Sequence, residues 1–214
     1  MPVRAVVVPA TPLLVPGASG GARVLSATRD LVGAALGELV AHALRPGAPA
    51  GLLVLASAGR QGARGPVRSG RPRSGRLRPS LAGAGIADRW VPGVAAWPPS
   101  DEATYAPDDV AHVPASVALL CLAAALEARG AAGALAEVEV VEVPARLHAE
   151  DAEVLRLRLR AAAAVVAADD DGPVVGTLGD VAGRAGWIPE VRIAAEAHEH
   201  LQERYDVTVW RSGA

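Results

Sequence analysis

Gly51–Ser57, GLLVLAS, is a continuous apolar run closed by a serine, with no alternation of polar and apolar residues. A strand covered on one face alternates, whereas a strand covered on both faces does not. Val3–Val8, VRAVVV, is the same kind of segment, β-branched and stopped by Pro9. Between the two, Arg23–Leu44 changes period. Leu25, Val32, Leu36, Leu39 and Ala43 fall along one side of a helix, with Arg23, Asp30, Glu38 and His42 roughly opposite. Arg45-Pro-Gly stops it. Strand, helix, strand in this rhythm is a βαβ unit with a parallel pair. The fold class expected is α/β, a mostly parallel central sheet with helices on both faces, in one domain spanning 1–214.

The remaining segments fit that frame with less regularity. Ala58–Ala87 is rich in Gly, Pro, Ser and Arg, carries no acid and shows no period, so it reads as a long irregular insertion. Trp90–His112 is a second irregular stretch, acidic through Asp101, Glu102, Asp108 and Asp109. Ala115–Arg129 predicts a buried helix, and Glu137–Val143, EVEVVEV, an alternating half-exposed strand near a sheet edge. A helix is expected from Ala149 to about Ala168, then a strand over Pro173–Leu178. Pro189 stands where a first-turn proline belongs, opening a helix to about Arg204. Val207–Trp210 is a short final strand.

Composition narrows the function classes. Of the 214 residues, 51% are apolar, enough for a sizeable core. The chain has no Phe and no Lys, so its 21 positive side chains are all arginine. Ala and Arg in place of Lys, Phe and Ile follow from a GC-rich coding sequence and need no functional cause. Net charge is −2, which predicts neither a nucleic-acid nor a membrane partner. Met1–Ala22 is interrupted by Pro9 and Pro12 and has only Arg4 as a basic residue, unlike a secretory leader. Val113–Leu126 is too short to span a bilayer. Cys121, the one cysteine, has no disulfide partner and suits a reducing cytoplasm.

The order of segments resembles the actinobacterial proteins related to the iron-binding chain of class III extradiol ring-cleavage dioxygenases. The resemblance rests on Ala5–Pro16, AVVVPATPLLVP, which is similar to that family's opening strand and its Cys-Pro-His-Pro-Pro-Leu-Leu-type loop. It continues in Gly51–Ser57, in the helix introduced by Pro114-Ala-Ser, in Gly179-Asp180 as a strand-ending turn, and in Ala185-Gly-Trp-Ile-Pro189. What the resemblance implies is the fold, not the chemistry. Its loop histidine, an iron ligand, is matched here by Ala10, which has no lone pair to offer, and no histidine lies between His42 and His112. The standard Fe(II) site is therefore expected to be missing and no cofactor is expected. The protein reads as a binding or accessory protein.

Candidate site residues follow from the sheet. Ligands of such folds lie beyond the carboxyl ends of parallel strands, here Pro9–Thr11, Ser57–Arg60 and Gly179–Asp180. That nominates Thr11, Ser57, Arg60, Arg64 and Asp180. Arg60, Arg64, Arg68, Arg71, Arg73, Arg76 and Arg78 occur without an intervening acid. Guanidinium groups grip carboxylate or phosphate bidentately, so an anionic small molecule or an acidic protein partner is the expected ligand. Nucleic acid is disfavoured because no aromatic residue interleaves to stack a base. The bland alternative is a solvated basic loop.

A divalent metal held by Asp108, Asp109 and His112 is the weaker alternative, carboxylate plus imidazole being a suitable donor set. It leaves open an enzyme working the same crevice with a relocated metal or none. On the helix expected after Pro189, Glu196, His200 and Glu203 share a face, which a solvated surface explains. His198 and His200 lie about 200° apart around that axis. No nucleophile elbow, phosphate-binding glycine loop, dinucleotide fingerprint, zincin motif or paired Cys-x-x-Cys occurs.

Overall fold

The computed structural model describes residues 1–20, 22–48, 51–58, 71–95, 97, 109–169 and 172–213. The expected fold class is what it shows: one mixed sheet of seven strands, parallel at its centre. The elements in chain order are β1 (Val3–Val8), α1 (Ser26–Ala43), β2 (Leu52–Ser57), β3 (Arg73–Gly75), α2 (Pro92–Ala95), α3 (Val113–Glu127), β4 (Glu139–Val143), α4 (Ala149–Ala161), β5 (Ala164–Ala168), α5 (Pro173–Arg184), β6 (Ile188–Ala195) and β7 (Arg204–Arg211). The strand order is β3-β4-β2-β5-β1-β7-β6. β4, β2, β5 and β1 run parallel, while β3 at one edge and the β6–β7 hairpin at the other run antiparallel to their neighbours.

Strand periodicity sorts the core into two layers. Val6, Val8, Val54, Ala56, Val140 and Val166 pack with Leu36, Leu39, Leu119 and Leu122 of α1 and α3. Leu53, Leu55, Val141, Val143 and Val165 meet Leu155, Leu159, Leu178 and Val181 of α4 and α5 on the other face. Because both faces are covered, β1 and β2 needed unbroken apolar sequence. α1 begins without a side-chain cap of its own, its preceding Leu25 being left-handed at φ 54°. The carboxylate of Glu196 supplies the cap, accepting both the N–H (2.7 Å) and the hydroxyl (2.6 Å) of Thr28.

Three expectations are corrected. Ala149–Ala168 is not one helix: α4 ends at Ala161 and Ala164–Ala168 is β5, between β2 and β1. The alanines favour helix locally, but Val165 and Val166 fit a slot buried on both faces, and tertiary burial wins. Pro173–Leu178 is the start of α5, with Pro173 in its first turn and Val174, Leu178, Val181 and Ala182 buried on one helical face. Pro189–Arg204 is no helix but β6 and its turn into β7, the proline lying on an edge strand.

β4 is also less exposed than expected, only its first residue lying outside the buried class. Within the insertion predicted at 58–87, the described residues include β3 and a 3-10 turn at Ala82–Ala84. No helix among the described residues is long and apolar enough to cross a membrane.

Candidate functional site: a buried glutamate that holds a histidine

Glu142 lies one residue from the carboxyl end of β4 and is fully buried. In EVEVVEV, Glu137 and Glu139 share one parity and Val138 and Val140 the other; Glu142 has the parity of the valines. It therefore points into the layer of α1 and α3, flanked in register by Ala56 of β2 and Arg73 of β3. A buried carboxylate must be compensated. The compensation here is specific: the His112 N–H donates to Oε1 at 2.6 Å, His112 Nδ1 lies 2.7 Å from Oε2, and Arg73 Nη1 donates to Oε2 at 3.1 Å.

Each partner is held in turn. His112 is the residue before the first turn of α3, so the positive end of that helix dipole also faces the carboxylate. Arg73 donates through Nη1 to the carbonyl of Val110 as well. The segment leading to His112 is stitched to the strand-like run at Leu77–Ser80. The Arg78 N–H donates to the carbonyl of Asp109 (2.8 Å) and the Ala111 N–H to that of Arg78 (2.9 Å). The buried Ser116 hydroxyl accepts from the N–H of Ser80 and donates to the carbonyl of Ala111. Asp88 accepts from the hydroxyl of Ser80 and the N–H of Leu81. Glu142 thus sits in a cage that secondary structure alone does not supply.

The arrangement leaves His112 poised at a boundary. Its side chain is 28% exposed, whereas Glu142 is at 0%. With Nδ1 turned to the carboxylate, Nε2 is the nitrogen available to solvent, and no hydrogen bond to it is formed among the described residues. A carboxylate that holds one ring nitrogen fixes the tautomer and orientation of the imidazole, which is how histidines are prepared for proton transfer or ligand binding. Arg73, with a third of its side chain exposed, stands on the other side of the same carboxylate.

The nominated residues fare unequally. Thr11 accepts the N–H of Leu13 at 3.4 Å and caps the 3-10 turn Pro12–Leu14, so its role in the structure is local. Ser57 does end β2, in register with Val143, but alternation from Leu53 and Leu55 places it on the α4–α5 side, away from Glu142. Asp180 is not at a strand end. It lies within α5, exposed, 3.4 Å from Arg156 Nη2 of α4. Gly179-Asp180 is therefore no strand-ending turn, which removes one of the motifs behind the family resemblance. Arg60 and Arg64 lie outside the described residues, as do Arg68, Asp101, Glu102 and Asp108.

Among the described arginines of the basic run, Arg76 pairs with Glu137 across the surface at 3.4 Å, and Arg73 enters the site. Glu196 caps α1, and with no helix there the shared face with His200 and Glu203 does not exist.

The donors present do not fit an iron site of the extradiol kind. Ala10 contributes no ligand atom, His112 gives its Nδ1 to Glu142, and no group of three His, Cys, Asp or Glu side chains among the described residues is gathered to hold a metal. Sequence reasoning named His112, for a different partner set, and missed Glu142 and the place of Arg73. The signal was the parity of Glu142, a charge on the buried side of its strand. No family model, curated protein or solved structure matches the chain.

Proposed function

We propose that the carboxyl edge of the sheet around His112 binds an anionic small molecule, with the imidazole as its hydrogen-bonding and proton-exchanging contact. The scaffold, on this reading, is extradiol-dioxygenase-like without the standard iron site, and its function is binding. One observation carries the proposal: a fully buried carboxylate grips Nδ1 of a partly exposed histidine whose other nitrogen has no partner among the described residues. A carboxylate needed only to tie β3 to α3 has that work done by Arg73 and the His112 N–H. The ring contact is additional. The arginine-rich run that precedes and includes β3 favours a ligand of negative charge.

Nitrogen-detected spectra of the histidine rings test this directly. Titration with inorganic phosphate, benzoate and a catechol carboxylate is expected to move the Nε2 signal of His112 saturably for at least one of them. His198 and His200, on the exposed turn between β6 and β7, should stay unmoved. Arg73→Ala should weaken that response, and His112→Gln should abolish ligand-induced stabilisation. If all three compounds leave His112 unmoved, or move the three histidines alike, the reading is wrong.

A further inference from the structure

The far edge of the sheet carries a second, independent feature. β6 is eight residues long, and among the described residues no strand pairs with its outer side. Proteins usually blunt such an edge, because its unpaired main-chain groups are a template for another strand. Here it is apolar instead: Ile188, Val191 and Ile193 are 54%, 55% and 50% exposed.

The pairing with β7 fixes which groups face out. Register partners along the hairpin run from Ile188 with Arg211 to Ala195 with Arg204. In line with that register, Glu196 donates its N–H to Glu203 and Gly213 donates its N–H to Gly186. Even-numbered residues of β6 thus spend their main-chain groups on β7, and odd-numbered ones turn theirs outward. Pro189, which has no N–H to give the ladder, falls on an outward position, as it must. The free groups are the N–H and C=O of Val191, Ile193 and Ala195 and the C=O of Pro189.

We propose that β6 pairs antiparallel with β6 of a second copy of this chain, about a two-fold axis through Val191. The charge pattern selects that partner and that register. An axis at Val191 sets Glu190 opposite Arg192 of the other copy and Arg192 opposite Glu190. It pairs Pro189 with Ile193, so that the Ile193 N–H meets the Pro189 carbonyl. An axis one residue earlier puts Glu190 against Glu190, one residue later Arg192 against Arg192, and at Ile193 Glu190 against Glu196. Like charges directly opposite are destabilising. A self-complementary patch of this kind closes as a symmetric dimer. The interface joins two sheets edge to edge and leaves the His112 site, at the opposite edge, open in both copies.

Sedimentation of the full chain over a wide concentration range is expected to show a reversible dimer. Val191→Lys and Ile193→Lys should weaken it by at least about tenfold while leaving the thermal melt of the fold unchanged. The register has its own test. A directly hydrogen-bonded pair has Cα atoms about 5.5 Å apart, within disulfide reach. Val191→Cys should therefore cross-link to itself under mild oxidation. Ile193→Cys, displaced four residues from its copy at about 3.4 Å per residue, should not. A wild-type chain that stays monomeric throughout, lysine variants that dimerise as tightly as wild type, or equal cross-linking at both positions would overturn the proposal.

Discussion

Replacing Glu142 by alanine takes the acceptor from the N–H and Nδ1 of His112 and from Nη1 of Arg73. Each buried donor left without a partner costs about 1–3 kcal/mol. Arg73 is the least affected, because a third of its side chain reaches solvent and it keeps the Val110 carbonyl. The cost therefore falls mainly on His112, whose N–H and Nδ1 together suggest about 3 kcal/mol, matching the roughly 3–5 kcal/mol seen when one member of a buried pair is removed. Against a native stability of about 5–15 kcal/mol, that is a large fraction.

With a urea slope of about 2 kcal/mol per molar, the unfolding midpoint should fall by about 1.5 M. Glu142→Gln keeps one acceptor oxygen and should lie between wild type and alanine. Arg73→Ala should cost about 1 kcal/mol, since its pairing is partly solvated. Equilibrium urea unfolding, followed by tryptophan fluorescence and circular dichroism, measures all three. A loss below about 1 kcal/mol for Glu142→Ala, or equal losses for the Glu142 and Arg73 variants, would refute the account of a carboxylate compensated chiefly by His112.

Other consequences are open to measurement. Glu38 and Glu190 each accept from Arg192 and Arg211, forming a four-membered ring of alternating charge. Hydrogen bonds from Arg192 and then Arg211 hold the Glu190 carboxyl down to about 2, and the Glu38 carboxyl is lowered chiefly by Arg192. A carboxyl depressed in the folded state stabilises it above the unfolded value and loses that contribution as pH falls toward the folded one. The ring's contribution should therefore be intact above the ordinary value of 4.5 and fade toward about 2, a slope that Glu190→Gln flattens and added salt reduces. Cys121 packs against the α1–α3 layer, and desolvation pushes its thiol up to about 12, so a disulfide reagent at pH 8 should react only after unfolding. Glu196→Ala, which uncaps α1, should lower stability by about 1–2 kcal/mol, or a few degrees in Tm.

The parts of this fold legible in sequence are those where local preference and burial agree. VRAVVV and GLLVLAS are β-branched or aliphatic throughout, and β1 and β2 follow within a residue of their expected limits. α1 and α3 were visible from period and from breaking residues. β5 was hidden because Ala161–Ala164 continues the preceding helix in every local respect, and only the vacancy between β2 and β1 makes the segment a strand. β6 was hidden because Pro189 suits a helix's first turn and a sheet's edge equally. The distinguishing pattern was the alternation of Glu190 and Arg192 with Val191 and Ile193. The site itself was half visible: strand ends pointed to the correct rim of the sheet, but Asp180 rested on a strand that is a helix. The one residue that organises the rim announced itself by standing among valines.

The place of β1 has a consequence for how the molecule is made. Val3–Val8 emerges first from the ribosome, yet both of its neighbours in the sheet, β5 and β7, come from beyond residue 163. Even the Pro2 carbonyl waits for the N–H of Ser212. An aliphatic ribbon must therefore remain unpaired until nearly the whole chain has been synthesised, the circumstance in which nascent polypeptides most need a chaperone's shelter.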